Sequence, residues 1–420
     1  MINKLYFDVR DVLRAPRLGL SAKKVWVQFI GMVVGLLGYA VLSYGALLLE
    51  GYKLAEIWAM FGALPIPVGL GLHWYGWVIT GVGALWAVII SMLAGTATAK
   101  LTYEQLRGND FYSKKEAWKF ARKHASAVIL SPIGMAIVAI VLVGGGLLIG
   151  LIAGTGAVGA WVTTAFYPII MAVTIFTVYL LVIVKAGFLI APAIVGTTKN
   201  DTFETIFEMF STVSAQPWRL ILYEIVLGLI AVVALGILTV FVVLALKLMY
   251  MVFGYAWGTD FTQYVFPQAG YYTFSFLKTP ATLLHEATLC GVNTCIQSGA
   301  LSPEVLLSIP GINWIYYLPT MTAIAIAPGA GLQVAAIIYA VWTIVLLGLV
   351  ISYFFSTMYT GHALIYLILR KKKDDENLLE RKDYDEEFPE FEVPEDKVED
   401  DLVPPEATAE EAPTEEKEGE

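Results

Sequence analysis

One stretch of the chain gathers residue types that could bind a metal, but their spacing argues against it. His285 and Glu286 begin like the motif of zinc proteases, in which a second histidine four residues after the first shares its helix face. Leu289 stands at that position instead. The sequence therefore predicts no catalytic residue, no metal ligand and no cofactor, and it does not indicate an enzyme.

The two cysteines of the chain, Cys290 and Cys295, lie in the same stretch with four residues between them. An oxidising compartment outside the cell would favour a disulfide between them, and we predict that pairing. Two free thiols are the alternative. The spacing also suits half of a metal site, but the sequence has no second pair of cysteines to complete it.

Two ionisable residues interrupt long apolar stretches, where an unpaired charge is costly. Lys185 and Glu224 lie in successive apolar segments, which run in opposite directions across a membrane. We predict that the two side chains form an intramembrane ion pair. The alternatives are that each side chain extends towards the membrane surface, or that the site holds a proton or an ion.

The elements that would hold these residues are six apolar stretches of bilayer length, about 20 residues each. Hydrophobic residues make up 58% of the 420 residues and charged residues 15%, whereas soluble domains contain about 25% charged residues. The predicted fold class is all-α: a polytopic transmembrane helical bundle of about six spans, with amphipathic cytoplasmic surface helices. The spans are predicted near residues 25–48, 77–97, 127–153, 166–190, 220–246 and 334–355.

Positively charged residues give these spans a direction, because loops rich in Lys and Arg stay in the cytoplasm. Nineteen Lys and Arg lie on one side of the predicted membrane and two, Lys53 and Lys278, on the other. The larger group includes the run Arg370–Lys373, which ends the last span. We therefore predict that both termini are cytoplasmic, and that the loop 250–311, with its two cysteines, is outside.

The chain divides into three predicted parts: residues 1–24, a transmembrane domain of residues 25–370, and residues 371–420. From Asp374 onward there are 22 acidic and 4 basic residues, and the rest of the chain has 14 acidic and 23 basic residues. A segment with so high a net charge and so few large apolar residues is predicted to be a disordered acidic cytoplasmic tail.

The first part, residues 1–24, is predicted to be an amphipathic helix lying at the cytoplasmic membrane surface. Its apolar side chains at helical spacing are Leu5, Val9, Val12 and Leu13. Two short apolar pieces of the transmembrane domain contain prolines and are predicted to be re-entrant or interfacial. These are residues 57–72 and 312–327.

Two further surface helices are predicted between spans. Ser113 and Glu116 have the spacing of a capping box, in which each side chain binds the other residue's backbone N–H. Asp201 and Glu204 form a similar start. The second helix has an apolar face at helical spacing, formed by Phe203, Ile206, Phe207 and Phe210.

Glycine pairs four residues apart mark two helix faces. One is Gly31 and Gly35, and the other continues through Gly146, Gly150 and Gly154. Small residues at this spacing let helix backbones approach closely in lipid. We predict that these faces pack within the chain or against a second copy, and a pore lining is the alternative.

Three cytoplasmic signatures together resemble a family of uncharacterised bacterial polytopic membrane proteins of the planctomycete type. They are Gly95–Lys100 with the helix 115–121, then 201–206 leading into 216–223, and Ile365–Arg370. The chain is also distantly similar to the membrane domain of some glycerophosphodiester phosphodiesterases. The resemblance covers most of residues 85–370 and implies a bacterial inner membrane protein. It carries over no activity, since the phosphodiesterase domain is missing.

These observations predict an integral membrane protein that is a non-enzymatic scaffold or accessory subunit. Its expected partners are the lipid bilayer and proteins that bind the acidic tail or the outer loop, and no nucleic-acid partner is expected. The alternatives are a transporter or channel, which would need a polar path at mid-membrane, or a lipid-handling membrane protein. The predicted location is the bacterial cytoplasmic membrane.

Overall fold

The computed structural model describes residues 5–67, 70–278 and 329–380, and in these residues all regular structure is helical. The helices are α1 (Val9–Val12), α2 (Ala15–Gly19), α3 (Ala22–Leu49), α4 (Leu54–Phe61), α5 (Trp74–Arg107), α6 (Lys114–Lys123), α7 (Ala125–Ala153), α8 (Ala157–Ala165), α9 (Tyr167–Thr198), α10 (Thr202–Ala215), α11 (Pro217–Trp257), a π-helical turn (Phe261–Val265), α12 (Phe266–Phe276) and α13 (Ala330–Asp374).

Six of these helices, α3, α5, α7, α9, α11 and α13, are long and apolar enough to cross a membrane. Each coincides with a predicted span, so the all-α fold class and a multi-pass membrane protein are confirmed. Four of the helices continue well beyond the predicted spans: α5 to Arg107, α9 to Thr198, α11 to Trp257 and α13 to Asp374. We call the last turns of α5, α9 and α13, together with α1, α2, α6 and α10, the basic end of the bundle.

The main core of the protein lies at the basic end. Residues 191–197 of α9 and 360–369 of α13 are buried without interruption. The close packing depends on glycine: a Cβ on Gly196 would lie 2.8 Å from the Cβ of Ala99 and 3.1 Å from the backbone N of Lys100. Small side chains thus let the backbones of α5 and α9 come together, as membrane helices commonly do.

The opposite half of the bundle is packed much less. Large apolar side chains of α7, α8, α9 and α11 are exposed there over several turns, including Leu147, Leu151 and Trp161. An added Cβ at Gly146 or Gly150 would meet nothing within 4 Å. The predicted packing of this glycine face is therefore not made within the described residues.

The other predicted glycine face does pack within the chain. A Cβ on Gly31 would come within 2.5 Å of the Cβ of Ala94, and one on Gly35 within 3.5 Å of the Ala87 backbone. Both neighbours lie on α5. This face therefore holds α3 against α5.

Residues 5–20 differ from the single amphipathic helix that the sequence predicts. Two short helices, α1 and α2, replace it, and Pro16 lies in the first turn of the second. Leu5 and Val12 are buried, but Leu13 is exposed. Asp11 is buried instead, where its carboxylate accepts a hydrogen bond from the Phe7 backbone N–H at 2.7 Å and pairs with Arg14 at 3.2 Å.

Both predicted surface helices are present as α6 and α10. Ser113 and Glu116 form the capping box: the Ser113 N–H donates to Glu116 Oε2 at 2.7 Å, and the Glu116 N–H donates to Ser113 Oγ at 3.2 Å. These hydrogen bonds hold the pKa of the Glu116 carboxyl below its ordinary value. Asp201 stands at the start of α10, but its side chain makes no capping hydrogen bond.

The predicted outer loop 250–311 is helical in its described part. Helix α11 continues to Trp257, and the π-helical turn and α12 follow. Phe261 is fully buried, and its ring lies 5.4 Å from that of Phe253 and 5.6 Å from that of Trp257. Aromatic packing of this kind favours a folded segment.

The predicted re-entrant piece 57–72 is partly helical. Its first residues belong to α4, which ends at Phe61, and the remaining described residues are not helical. Tyr39 of α3 donates to the carbonyl of Pro65 at 2.6 Å and ties this piece to the bundle. The other predicted piece, 312–327, lies outside the described residues.

Candidate functional site: the ion-paired basic end

Glu208 is the centre of a group of charged side chains at the basic end. It lies on α10, and its carboxylate binds Arg370 Nη1 at 2.6 Å and Lys373 Nζ at 3.3 Å on the last turns of α13. Only 11% of the Glu208 side chain is exposed. Burial alone would raise the pKa of its carboxyl, but the hydrogen bonds and charges of Arg370 and Lys373 outweigh it and hold the pKa below its ordinary value.

Arg370 binds two further carboxylates. Its Nε lies 3.0 Å from Asp374 Oδ2, and its Nη2 lies 3.0 Å from Glu376 Oε2. The planar guanidinium has donors on several sides and suits this arrangement. Arg370 thus joins α10, the end of α13 and the residues that follow α13.

A second ion pair joins α13 to the N-terminal segment. Lys372 Nζ lies 3.0 Å from Asp8 Oδ1. The same ammonium is 3.5 Å from the hydroxyl of Tyr223 on α11. Exposed pairs contribute little energy individually, but this one adds α1 and α11 to the elements held at the end of α13.

Helix α5 contributes a buried ion pair at the same end. Lys100 Nζ lies 2.7 Å from Glu104 Oε1, one helical turn away. The ammonium also lies 5.1 Å from the ring centroids of both Tyr103 and Phe120, a cation–π geometry. The Tyr103 hydroxyl donates to the carbonyl of Leu378 at 2.8 Å, so the chain just after α13 is held against α5.

The structure does not bring Lys185 and Glu224 together. Glu224 Oε2 lies 3.1 Å from Nε2 of His362 on α13, and Lys185 is exposed. Among the described residues Lys185 forms no ion pair. The physical reason is the packing order: α13 packs against both α9 and α11, so its histidine is the group that reaches Glu224.

The pair of Glu224 and His362 leaves two buried polar atoms without a hydrogen-bond partner among the described residues. His362 is buried, and its Nδ1, like Glu224 Oε1, has no hydrogen-bond partner among the described residues. No cluster of metal-binding side chains occurs in residues 5–67, 70–278 and 329–380. Cys290 and Cys295 lie outside the described residues, so their predicted disulfide stays a prediction.

Sequence reasoning missed most residues of this site, among them Glu208, His362 and Lys100. For Lys100 the Glu104 four residues later was a usable signal, since opposite charges at this spacing pair on a helix. Glu208 and Arg370 are 162 residues apart, and no local pattern joins them. The run Arg370–Lys373 indicated only a membrane exit.

Helix α10 packs against the bundle with the face that contains its buried threonines. Thr205, Met209 and Thr212 are buried there, whereas Phe203 and Phe207 of the predicted apolar face are 76% and 72% exposed. Aromatic side chains that face away from the protein suit a helix at a membrane interface.

Comparisons of the chain with protein-family models, with curated proteins and with solved structures found no match. The family resemblance of the sequence segments therefore stays a prediction. What the fold and the site define is a class: a multi-pass membrane protein with six long apolar helices among its described residues, in which ion pairs at one end of the bundle join α13 to α10 and to the N-terminal segment.

Proposed function

We propose that the chain is a non-enzymatic membrane scaffold or accessory subunit that binds a transmembrane helix of a partner protein. The observation that carries this proposal is the glycine face of α7. Gly146 and Gly150 of this face have open space where a side chain would be. Glycine weakens a helix, and in lipid its usual benefit is the close approach of another helix. No described helix uses this face.

The ion-paired basic end supports the same proposal. It joins the N-terminal segment, α5, α10, α11 and α13 into one fixed structure, and the acidic tail follows directly from it. With the predicted orientation, this end and the tail are both in the cytoplasm of a bacterium, where soluble partners can bind the tail. The α7 face then lies within the bilayer.

The proposal is tested by a photo-crosslinking amino acid at Leu147, next to the glycine face, in membranes of the source cell. We expect one adduct with a partner protein that Gly146→Leu/Gly150→Leu abolishes. The matched control is Gly228→Leu/Gly236→Leu, on α11, where the glycines also have open space, and the adduct should persist. Lipid adducts alone would contradict the proposal. Adducts of two copies of this chain would show a self-interface instead.

A second candidate, a lipid-handling protein, is favoured by one groove. It has a volume of about 460 Å³ between α11, the π-helical turn and α13, and is lined almost entirely by apolar and aromatic side chains. The buried hydroxyl of Tyr339, which lines it, has no hydrogen-bond partner among the described residues. Pockets of this size and character hold small apolar ligands, and in a membrane an acyl chain is at hand.

The groove is tested by filling it. Ala335→Trp should displace a bound lipid, measured by extraction and mass spectrometry of the purified protein. Val341→Trp, on an exposed position of the same helix, is the control and should leave the lipid content unchanged. Equal lipid content in both variants would exclude this groove as a lipid site.

A further inference from the structure

A small polar cavity lies at the basic end, apart from the ion pairs around Glu208. It has a volume of about 100 Å³, between the start of α3, the last turns of α5 and the connection to α6. That is room for about three waters or one tetrahedral anion. Among the residues that line it are Ser21, Lys23, Lys24, Gln105, Asn109 and Tyr112.

Lys24 is the buried lysine of this cavity. Only 1% of the residue is exposed. Its ammonium donates one hydrogen bond, to the carbonyl of Leu18 at 3.0 Å, and it forms no ion pair with any carboxylate of the described residues. Buried lysines are nearly always paired, because an uncompensated buried charge is costly. Lys100, the other buried lysine nearby, has Glu104. Among the described residues, Lys24 has no such partner.

The other groups around the cavity are mostly donors. Lys23 is exposed, and its ammonium holds the carbonyls of Asp110 and Tyr112 at 2.8 and 3.2 Å. Burial, with the charges of Glu104 and Glu116, raises the pKa of Tyr112 to about 12, so its hydroxyl keeps its proton. Asp110, an acidic residue, also lines the cavity.

The start of α3 adds two further features that favour an anion. Ser21 occupies the N-cap position, and its hydroxyl makes no capping hydrogen bond. The first backbone N–H groups of a helix have no partner within the helix, and the helix dipole favours negative charge at that end. Helix α3 has 28 residues, so these effects are fully developed.

We propose that this cavity binds a phosphate group, with Lys24 as its buried counter-charge. A tetrahedral anion offers acceptors to the Lys24 ammonium, the Ser21 and Tyr112 hydroxyls and the start of α3 together. Two sources share this chemistry: the headgroup of an anionic lipid and free inorganic phosphate. The lipid fits the position, since basic pockets between transmembrane helices at the cytoplasmic side bind anionic headgroups.

The test is native mass spectrometry of the full-length protein released from detergent micelles, titrated with phosphatidylglycerol. A galactolipid with the same acyl chains but no phosphate is the reference lipid. We expect the wild type to retain phosphatidylglycerol in preference to the galactolipid. Lys24→Met should weaken that binding about tenfold or more, because it removes a charged hydrogen-bond donor. Lys247→Met removes the same charge from an exposed position on α11 and should bind as the wild type does.

A second arm separates the two sources. Inorganic phosphate is added to lipid-free protein, and the shift in melting temperature is measured for the wild type and Lys24→Met. A shift in the wild type that Lys24→Met abolishes, without preference for phosphatidylglycerol, assigns the site to free phosphate. Lipid preference without that shift assigns it to a headgroup.

Equal binding by the wild type and Lys24→Met in both arms would overturn the proposal. If Lys24→Met does not fold, Ser21→Ala/Tyr112→Phe carries the test, since it removes two donors and keeps both lysines. Binding by that variant equal to wild type would then overturn the proposal.

Discussion

The basic end and the opposite half of the bundle both consist of helices, yet they differ in what they bury. Helix α11 has the highest mean hydropathy, 3.1, and only 6% of its most apolar window is buried, whereas for α5 the values are 2.1 and 33%. Buried positions at the basic end are rich in Ala, Gly, Ser and Thr. Exposed positions in the opposite half are mainly Ile, Leu and Val. In this protein high hydropathy marks the faces that lipid or a partner covers, and small residues mark the core.

The two regions also differ in whether they contain charged side chains. Glu208, Arg370, Lys100 and Glu104 are largely buried at the basic end, where each has an oppositely charged partner. In the opposite half the exposed faces contain almost no charged residue. Stability should therefore depend on polar groups at one end and be insensitive to substitution at the other.

The largest effect is expected from Glu208→Gln. It leaves Arg370 and Lys373 without their shared carboxylate and should lower the free energy of unfolding by about 3 kcal/mol. That is the lower end of the range for a broken buried pair, because Arg370 keeps Asp374 and Glu376. Denaturant titration in mixed micelles measures the change. Glu204→Gln, an exposed position of the same helix, should stay within about 0.5 kcal/mol. Equal losses in the two variants would show that the ion pairs do not hold this end.

The stability conferred by Glu208 should also depend on pH. Its pKa is lower in the folded protein than the ordinary 4.5. The contribution is therefore fully present above that value and is lost as the pH falls through the folded-state pKa. The difference in melting temperature between wild type and Glu208→Gln should shrink in acid below that value. A difference that stays constant down to acid pH would mean that the charge of Glu208 is not responsible.

Glycine substitutions should have opposite signs in the two regions. Gly196→Ala places a methyl group against Ala99 and the Lys100 backbone and should cost about 1–3 kcal/mol by overpacking. Gly146→Ala enters open space in the middle of α7 and should be neutral or stabilise by about 0.5–1 kcal/mol. Reversible unfolding in the same micelles compares them. A cost at Gly146 as large as that at Gly196 would remove the distinction between the regions.

The smallest expected effect is local. Ser113→Ala removes one half of the capping box of α6 and should cost about 1 kcal/mol. Hydrogen exchange of the first turn of α6 should become faster, while that of α13 stays unchanged. Unaltered exchange in α6 would indicate that packing on α5 alone holds the helix.

The sequence predicted the spans well and the site poorly, for one physical reason. Membrane insertion depends on local hydropathy, which is determined by a short stretch of consecutive residues. The pair of Glu208 with Arg370 depends on which helices become neighbours, and the pattern of either segment alone does not contain that. The predicted pair of Lys185 and Glu224 does not form for the same reason: helices adjacent in sequence need not be neighbours in space, and α13 supplies His362 as the partner of Glu224.

The capping box of Ser113 and Glu116 is a contact that the sequence predicts correctly. All of its contacts lie within four residues, and the structure reproduces them as the sequence predicts. The amphipathic pattern of residues 5–13 correctly predicts the burial of Leu5 and Val12, but it does not predict the burial of Asp11. That burial depends on a local turn in which the carboxylate binds Phe7 and Arg14.

Carbene footprinting can test whether the basic end is packed while the opposite half of the bundle is uncovered. The purified protein in bilayers is photolysed with a lipid-soluble diazirine, and labelled residues are identified by mass spectrometry. We expect strong labelling of α7 at residues 140–152 and almost none of α13 at residues 363–369, although both segments are strongly apolar. Comparable labelling of the two segments would contradict the division into a packed basic end and an uncovered opposite half.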